Sequence, residues 1–181
     1  MRKLILGVAS VLLSVTLSAQ VYGSKSSKIT FDSKTPLEDI HAETTKAKGA
    51  LRTTDGLVKI KVKMISFKFE KPLMEEHFNE KYVESERFPD ASFVGNVVEE
   101  VDYSKDGVHQ VSVKGKLTIH GVEQERTISG TITIKGGVIE MQTSFKVKLV
   151  DHKIEVPSVV TENIAEVIDV DAYFLCEEIK K

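Results

Sequence analysis

Apolar and polar residues alternate most regularly between Val108 and Val150, and the alternation predicts three consecutive strands joined by two short turns. In the first, Val111, Val113, Leu117 and Ile119 share one face, opposed by Gln110, Ser112, Lys114, Lys116 and Thr118. His120-Gly121 turns the chain, with Gly121 placed where a positive φ suits the turn. The second strand sets Ile128, Ile132 and Ile134 against Thr127, Ser129, Thr131 and Thr133. Gly130 interrupts its apolar face, and a missing side chain there lets a neighbour or a ligand approach. Gly136-Gly137 turns the chain again, and Ile139, Met141, Phe145, Val147 and Leu149 mark the third strand. A period of two gives each strand one apolar and one polar face, which suits an antiparallel sheet curled around an interior.

Upstream, Lys28 to Phe31 reads as a short opening strand, and Thr35 to Thr45 as either a helical turn or a loop. Ala47 to Leu51 is extended, and Asp55-Gly56 is a turn signal. A long strand is expected from Leu57 to Glu70. Val58, Ile60, Val62 and Met64 share one of its faces, but Ile65, Phe67 and Phe69 share the other. That change of phase calls for a bulge or a change of sheet partner. Pro72 then opens a helix, with Glu75 and Glu76 in its acid-favouring first turns and Met74, Phe78 and Tyr82 on one stripe. A strand from Ala91 to Val101, a hairpin at Asp106-Gly107 and a final strand placing Ile164, Ile168, Val170, Ala172, Phe174 and Cys176 complete the pattern.

The first residues stand apart. Arg2-Lys3 precedes an apolar run from Leu4 to Leu17, shorter than the ~20 residues a helix needs to span a bilayer. This predicts a secretory signal peptide over residues 1–23, followed by one domain over 24–181, with cleavage after Ala19 or after Gly23 leaving a small residue at the cut. The expected compartment is the periplasm, with no stable membrane span. Net charge is −2 with both signs interspersed, and lysines alternate with apolar residues as on a solvated sheet face, so no nucleic-acid surface is indicated. Cys176 is the only cysteine, which leaves no internal disulfide and favours a buried, inert thiol. Composition leaves a homodimer open.

The five histidines His41, His77, His109, His120 and His152 show no HxH, HExxH or Cys/His spacing, so no metal site is expected. His109 and His152 adjoin turns and are expected to be solvated. No nucleophile elbow is present, and Glu75, Glu76, Glu99, Glu100, Asp169 and Asp171 fall on solvated faces, so neither catalytic residues nor a cofactor are expected.

The stretch Met74-Glu75-Glu76-His77-Phe78-Asn79-Glu80-Lys81-Tyr82, with Arg87-Phe88-Pro89 and Phe93-Val94-Gly95, resembles the signature of the YceI-like family. Lys116-Leu117-Thr118-Ile119-His120-Gly121-Val122 resembles its second recurring block, and the Ile154-Glu155-Val156-Pro157 segment and closing strand also fit. The opening Ile29-Thr30-Phe31-Asp32-Ser33 departs from the family by being shorter and lacking tryptophan. The resemblance implies a mainly β, lipocalin-like antiparallel barrel of about eight strands with one short helix at its mouth. It further implies a long apolar ligand of the polyisoprenoid or fatty-chain kind, held by an exported binding protein, not an enzyme. His77 and His120 match family positions, and a meeting of the two at the rim is one expectation. The helix stripe and inward strand faces then nominate Phe67, Met74, His77, Phe78, Phe93, Leu117, Ile128, Ile132, Phe145 and Phe174 as ligand lining. Two readings compete with this one. One is a quinone-linked respiratory accessory, for which His77 with Asn79 is the candidate polar pair; the other is an envelope stress protein with a filled barrel.

Overall fold

The computed structural model describes residues 20–157 and 162–180, so the expected signal segment and residues 158–161 lie outside the described residues apart from its last few positions. Ten strands form one antiparallel sheet: β1 (Val21–Lys34), β2 (Asp39–Thr44), β3 (Lys48–Arg52), β4 (Leu57–Lys63), β5 (Lys68–Phe69), β6 (Asp90–Val97), β7 (Gly107–Ile119), β8 (Val122–Lys135), β9 (Val138–Lys148) and β10 (Val167–Glu178). Eight of them close a barrel in the order β10-β9-β8-β7-β6-β4-β3-β1, with β10 pairing back onto β1. The remaining two, β2 and β5, continue from the distal half of β1 as a short flap. Among the described residues one α-helix, α1, runs over Pro72–His77 and widens to a π-helical turn over Phe78–Tyr82. Among the described residues no helix is long and apolar enough to cross a membrane.

The phase change at Met64-Ile65 is a change of partner. Strand β4 pairs with β6 and stops at Lys63, a 3₁₀ turn over Met64–Ser66 redirects the chain, and β5 pairs with β2 instead. The opening strand is longer than Lys28–Phe31 because a bulge between Ser24 and Ser26 reverses its alternation. Tyr22 points inward before the bulge, and Ser27, Ile29 and Ser33 do so after it. A period-of-two reading loses a strand at such a break. The segment left open between Thr35 and Thr45 is β2, and the strand expected to reach Val101 ends at Val97.

The two ends of the barrel differ. At the end formed by the start of β1, the β3–β4 turn, the β8–β9 turn and the end of β10, Leu51, Ile139 and Cys176 are fully buried and Tyr22 nearly so. They make a packed floor. Burial raises the Cys176 thiol to about 11, as befits an inert core thiol. At the other end α1 and the loop after β9 stand over the opening.

The wall is not uniformly laddered. Strands β8 and β9 pair from Lys135↔Val138 to Gly130↔Thr143, and there the register stops. Beyond it side chains bridge the strands: Thr143 Oγ1 donates to the Ser129 carbonyl (2.6 Å), Arg126 Nη2 to the Lys146 carbonyl (2.6 Å) and Gln124 Nε2 to the Asp151 carbonyl (2.7 Å). Gly130 sits at the last laddered pair, and a Cβ on it would lie 2.5 Å from the Gln142 carbonyl oxygen. The approach it permits is therefore that of the neighbouring backbone. Gly130→Ala is expected to lower stability by about 1–3 kcal/mol through this overpacking. Chemical denaturation checks it, and an unchanged midpoint would show that the strands separate freely at this point.

Candidate functional site

Inward side chains of the barrel enclose a cavity of about 440 Å³. Its size falls within the ~300–1,000 Å³ of small-molecule sites. All ten side chains nominated from the sequence stand on its wall: Phe67 from the turn after β4, Met74, His77 and Phe78 from α1, Phe93 from β6, Leu117 from β7, Ile128 and Ile132 from β8, Phe145 from β9 and Phe174 from β10. Phe93, Leu117, Ile128 and Val147 form one packed group on the wall, while Phe67, Ile132 and Phe174 belong to the larger core that continues into the floor.

Sequence reasoning missed the contribution of β1 and β4. Ile29 and Phe31 line the cavity from β1, and Val58, Ile60 and Val62 line it from β4. Their alternation was visible, but Ser27 and Ser33 break the apolar stripe of the inward face of β1, and no local signal places β4 beside the cavity. Phe31 matters most. Its ring stacks on Phe78 (centroids 5.3 Å apart, 29° between planes) and meets Phe67 (5.3 Å) and Phe69 (5.6 Å), while Phe78 lies 5.0 Å from Phe69. Four phenylalanines from β1, the turn after β4, β5 and α1 thus gather under the helix. Offset and tilted ring pairs of this kind are favourable beyond their burial. The π-helical turn, closed by Val83 N–H donating to the Phe78 carbonyl (2.9 Å), carries Phe78 and Tyr82 to the cavity with Val83 behind them.

Polar groups line the wall in two places, Thr131, Gln142 and Thr143 where β8 and β9 part, and a second set at the helix end. Glu38, His77 and Asn163 line the cavity there, as does Ser33, whose Oγ accepts from the Ala165 N–H (2.8 Å). Glu38 also receives Lys71 Nζ (2.8 Å), a bond that raises the Lys71 ammonium above its usual value and ties the β1–β2 loop to the start of α1. Lys68 does the same for β5, donating to Glu75 and holding that carboxyl below the usual glutamate value.

The proposed polar pair does not converge. His77 faces the cavity, but Asn79 is buried outside its lining and spends its amide on the Glu75 carbonyl (2.8 Å). His120 is engaged elsewhere, with Nε2 on Glu84 (2.7 Å), Nδ1 on the His152 carbonyl (3.1 Å) and the Phe88 ring 4.4 Å away. It occupies the β7–β8 turn, where Gly121 takes the expected positive φ of 70°.

His152 corrects a further expectation: it is fully buried, not solvated. It ends a 3₁₀ turn over Leu149–His152 that folds the ring beneath the β7–β8 turn, where Nδ1 meets the Val122 carbonyl (3.1 Å). Burial lowers its basicity below that of an ordinary histidine. The unfolded chain then takes up a proton that the folded chain refuses, so His152 subtracts stability as pH falls below about 6.5. We expect His152→Asn to flatten the fall in unfolding free energy between about pH 7 and pH 5. Equal pH slopes for parent and variant in urea titrations would remove His152 as the cause.

A family model described as a YceI-like domain matches residues 21–174. Among solved structures, a polyisoprenoid binding domain from Saccharophagus degradans, implicated in plant cell wall breakdown, is similar at 15% identity, covering 87% of this chain and 98% of that one with a TM-score of 0.74. Burkholderia cenocepacia BcnA is similar at 15% identity, with 82% and 95% covered and a TM-score of 0.66. The Campylobacter jejuni YCEI protein is similar at 15% identity over 100% of both chains, with a TM-score of 0.56. These likenesses concern the fold. Among curated proteins nothing matches.

Proposed function

We propose that this protein, which belongs to the YceI-like domain family, is an exported carrier that holds a long apolar chain of the polyisoprenoid or fatty-acyl kind inside its barrel. The observation that carries the reading is the cavity itself: about 440 Å³ of space lined mainly by aliphatic and aromatic side chains, with its few polar groups set at the helix end (Glu38, His77, Asn163) and where β8 and β9 part (Thr131, Gln142, Thr143). Such a space favours an occupant with no hydrogen bonds to lose along most of its length. Burying about ten methylenes there would contribute ~8 kcal/mol before association costs. The flexible Met74 and the Phe31–Phe67–Phe69–Phe78 cluster at the opening adapt to a chain without demanding one shape. The polyisoprenoid-binding description of a structural relative supports the chemical class.

Organic extracts of the purified protein, read by mass spectrometry, are expected to contain a long-chain lipid or isoprenoid. Phe78→Ala is expected to weaken a fluorescent long-chain probe about tenfold, the equivalent of losing one well-buried aromatic contact. A folded variant with full affinity for the probe would remove Phe78 from the binding surface. Empty extracts together with no probe binding by the parent protein would overturn the carrier reading.

Export to the periplasm belongs to the same proposal, and the fold favours one of the two cleavage positions. Tyr22 is buried and pairs with Leu51 and Glu178, so a cut after Gly23 would strip a core residue from β1. A cut after Ala19 leaves Gln20, whose carbonyl accepts from the Thr53 N–H (3.0 Å). Amino-terminal sequencing of protein from the soluble envelope fraction is expected to begin at Gln20. A start at Met1 would refute export, and a start at Ser24 would refute the choice of site.

A further inference from the structure

The chain carries a net charge of −2, yet one side of the barrel is strongly cationic. Strands β3, β4, β6 and β7 are neighbours in the sheet, and they turn Lys48, Lys59, Lys61, Lys63, Lys114 and Lys116 outward on one continuous face. Asp90 is the only carboxylate those four strands carry. Lys48 stands directly opposite Lys61, and Lys59 and Lys116 flank the exposed Val94 from either side. Like charges opposed across a ladder cost stability. Relief is partial, because Lys61 pairs with Asp90 (2.9 Å) and Lys116 with Glu123 (2.6 Å), while Lys48, Lys59, Lys63 and Lys114 have no carboxylate partner among the described residues. The opposite side, built from β9, β10, β1 and β2, is instead mixed and matched, with Lys25–Glu177, Lys28–Glu43, His41–Asp32 and Lys146–Asp169 paired.

We propose that the lysine face docks the barrel side-on against an anionic lipid surface. Unmatched cations spread over a broad strand surface suit phosphate headgroups that move laterally to meet them, and the exposed Val94 in their midst suits the apolar boundary beneath. The ends of the barrel cannot serve in the same way. At the helix end Glu70, Glu75, Glu76, Glu80, Glu84 and Glu86 outnumber Lys68, Lys71, Lys81 and Arg87, and at the far end Glu99, Glu100, Asp102 and Asp106 outnumber Lys105, so both ends are net acidic and an anionic surface favours the flank. The inference rests on the proposed carrier function in one respect, that cargo of a long apolar chain is exchanged at a bilayer.

The purified protein is expected to co-sediment with phosphatidylglycerol–phosphatidylcholine vesicles, to ignore pure phosphatidylcholine vesicles and to be released by added salt. Replacing Lys59→Gln together with Lys114→Gln is expected to weaken binding more than tenfold, at roughly fivefold per lysine. The matched pair Lys28→Gln with Lys146→Gln removes the same charge from the other wall and is expected to leave binding within about twofold. Circular dichroism and thermal midpoints verify the fold, and Lys48→Gln with Lys63→Gln replaces the first pair should it unfold. Absence of binding to the anionic vesicles, or equal losses in both pairs, overturns the docking face. Retention of an acidic protein by this face without vesicle binding overturns the lipid assignment. Long-chain probe binding measured without vesicles separates the two readings: intact probe binding with no docking sinks the docking face alone, and docking without probe binding sinks the carrier alone.

Discussion

Everything in this molecule depends on the ladder between β1 and β10, which runs from Tyr22↔Glu178 to Asp32↔Asp169 and converts a sheet into a barrel. Without it both strands would be edges, and the inward rows of all eight barrel strands would lose their opposing wall. The ladder joins residues almost a chain length apart, so its entropic cost is met only when the intervening strands are already in register. β1 serves two masters on its other edge, pairing with β3 through Val21–Gly23 and with β2 through Ile29–Lys34. The bulge between Ser24 and Ser26 lies between those two tasks and lets one strand turn from the packed floor to the open end.

An eight-stranded barrel is about wide enough to be filled by its own side chains, so a cavity needs a cause. Here the floor is filled by Tyr22, Leu51, Ile139 and Cys176, and packing is complete. Towards the other end the chain leaves the barrel at Lys63, crosses as the β5 flap and α1, and returns at Asp90. The detour brings Phe67, Phe69 and Phe78 against Phe31, so the aromatic cluster forms above the wall instead of within it. The space beneath stays bounded but unfilled. The same detour explains why Glu38 and His77 sit where solvent and a ligand's terminal group would meet.

The strands were legible wherever a period of two ran unbroken. β7, β8 and β9 were readable nearly to the residue, and the inward identities of Leu117, Ile128, Ile132 and Phe145 followed directly. What stayed hidden needed either a break in phase or a contact distant in sequence. Phe31 was hidden because Ser27 and Ser33 share its inward face, so β1 shows no continuous apolar stripe. His152 was hidden because a short 3₁₀ turn has no periodicity to betray which way a ring faces, so proximity to a turn suggested solvent. Asn79 was hidden by the widening of α1 into a π-turn, which rotates residues away from the faces that an ideal helix would give them.

Charge shows the same division more sharply. Along the chain, Lys59, Lys61 and Lys63 look like an ordinary wet face, and so do Lys114 and Lys116, because each run alternates with apolar or small residues as a solvated strand face does. Register changes their meaning. β6 inserts between β4 and β7 and contributes only Asp90, so the two lysine runs become one surface with Val94 between them. The acids that balance them in composition lie elsewhere, on the opposite wall, along β8 and in the loops and helix at the two ends. A neutral-looking sequence thus folds into a barrel with a cationic flank and acidic ends, and this anisotropy, absent from any local window, fixes how the molecule lies against a charged plane.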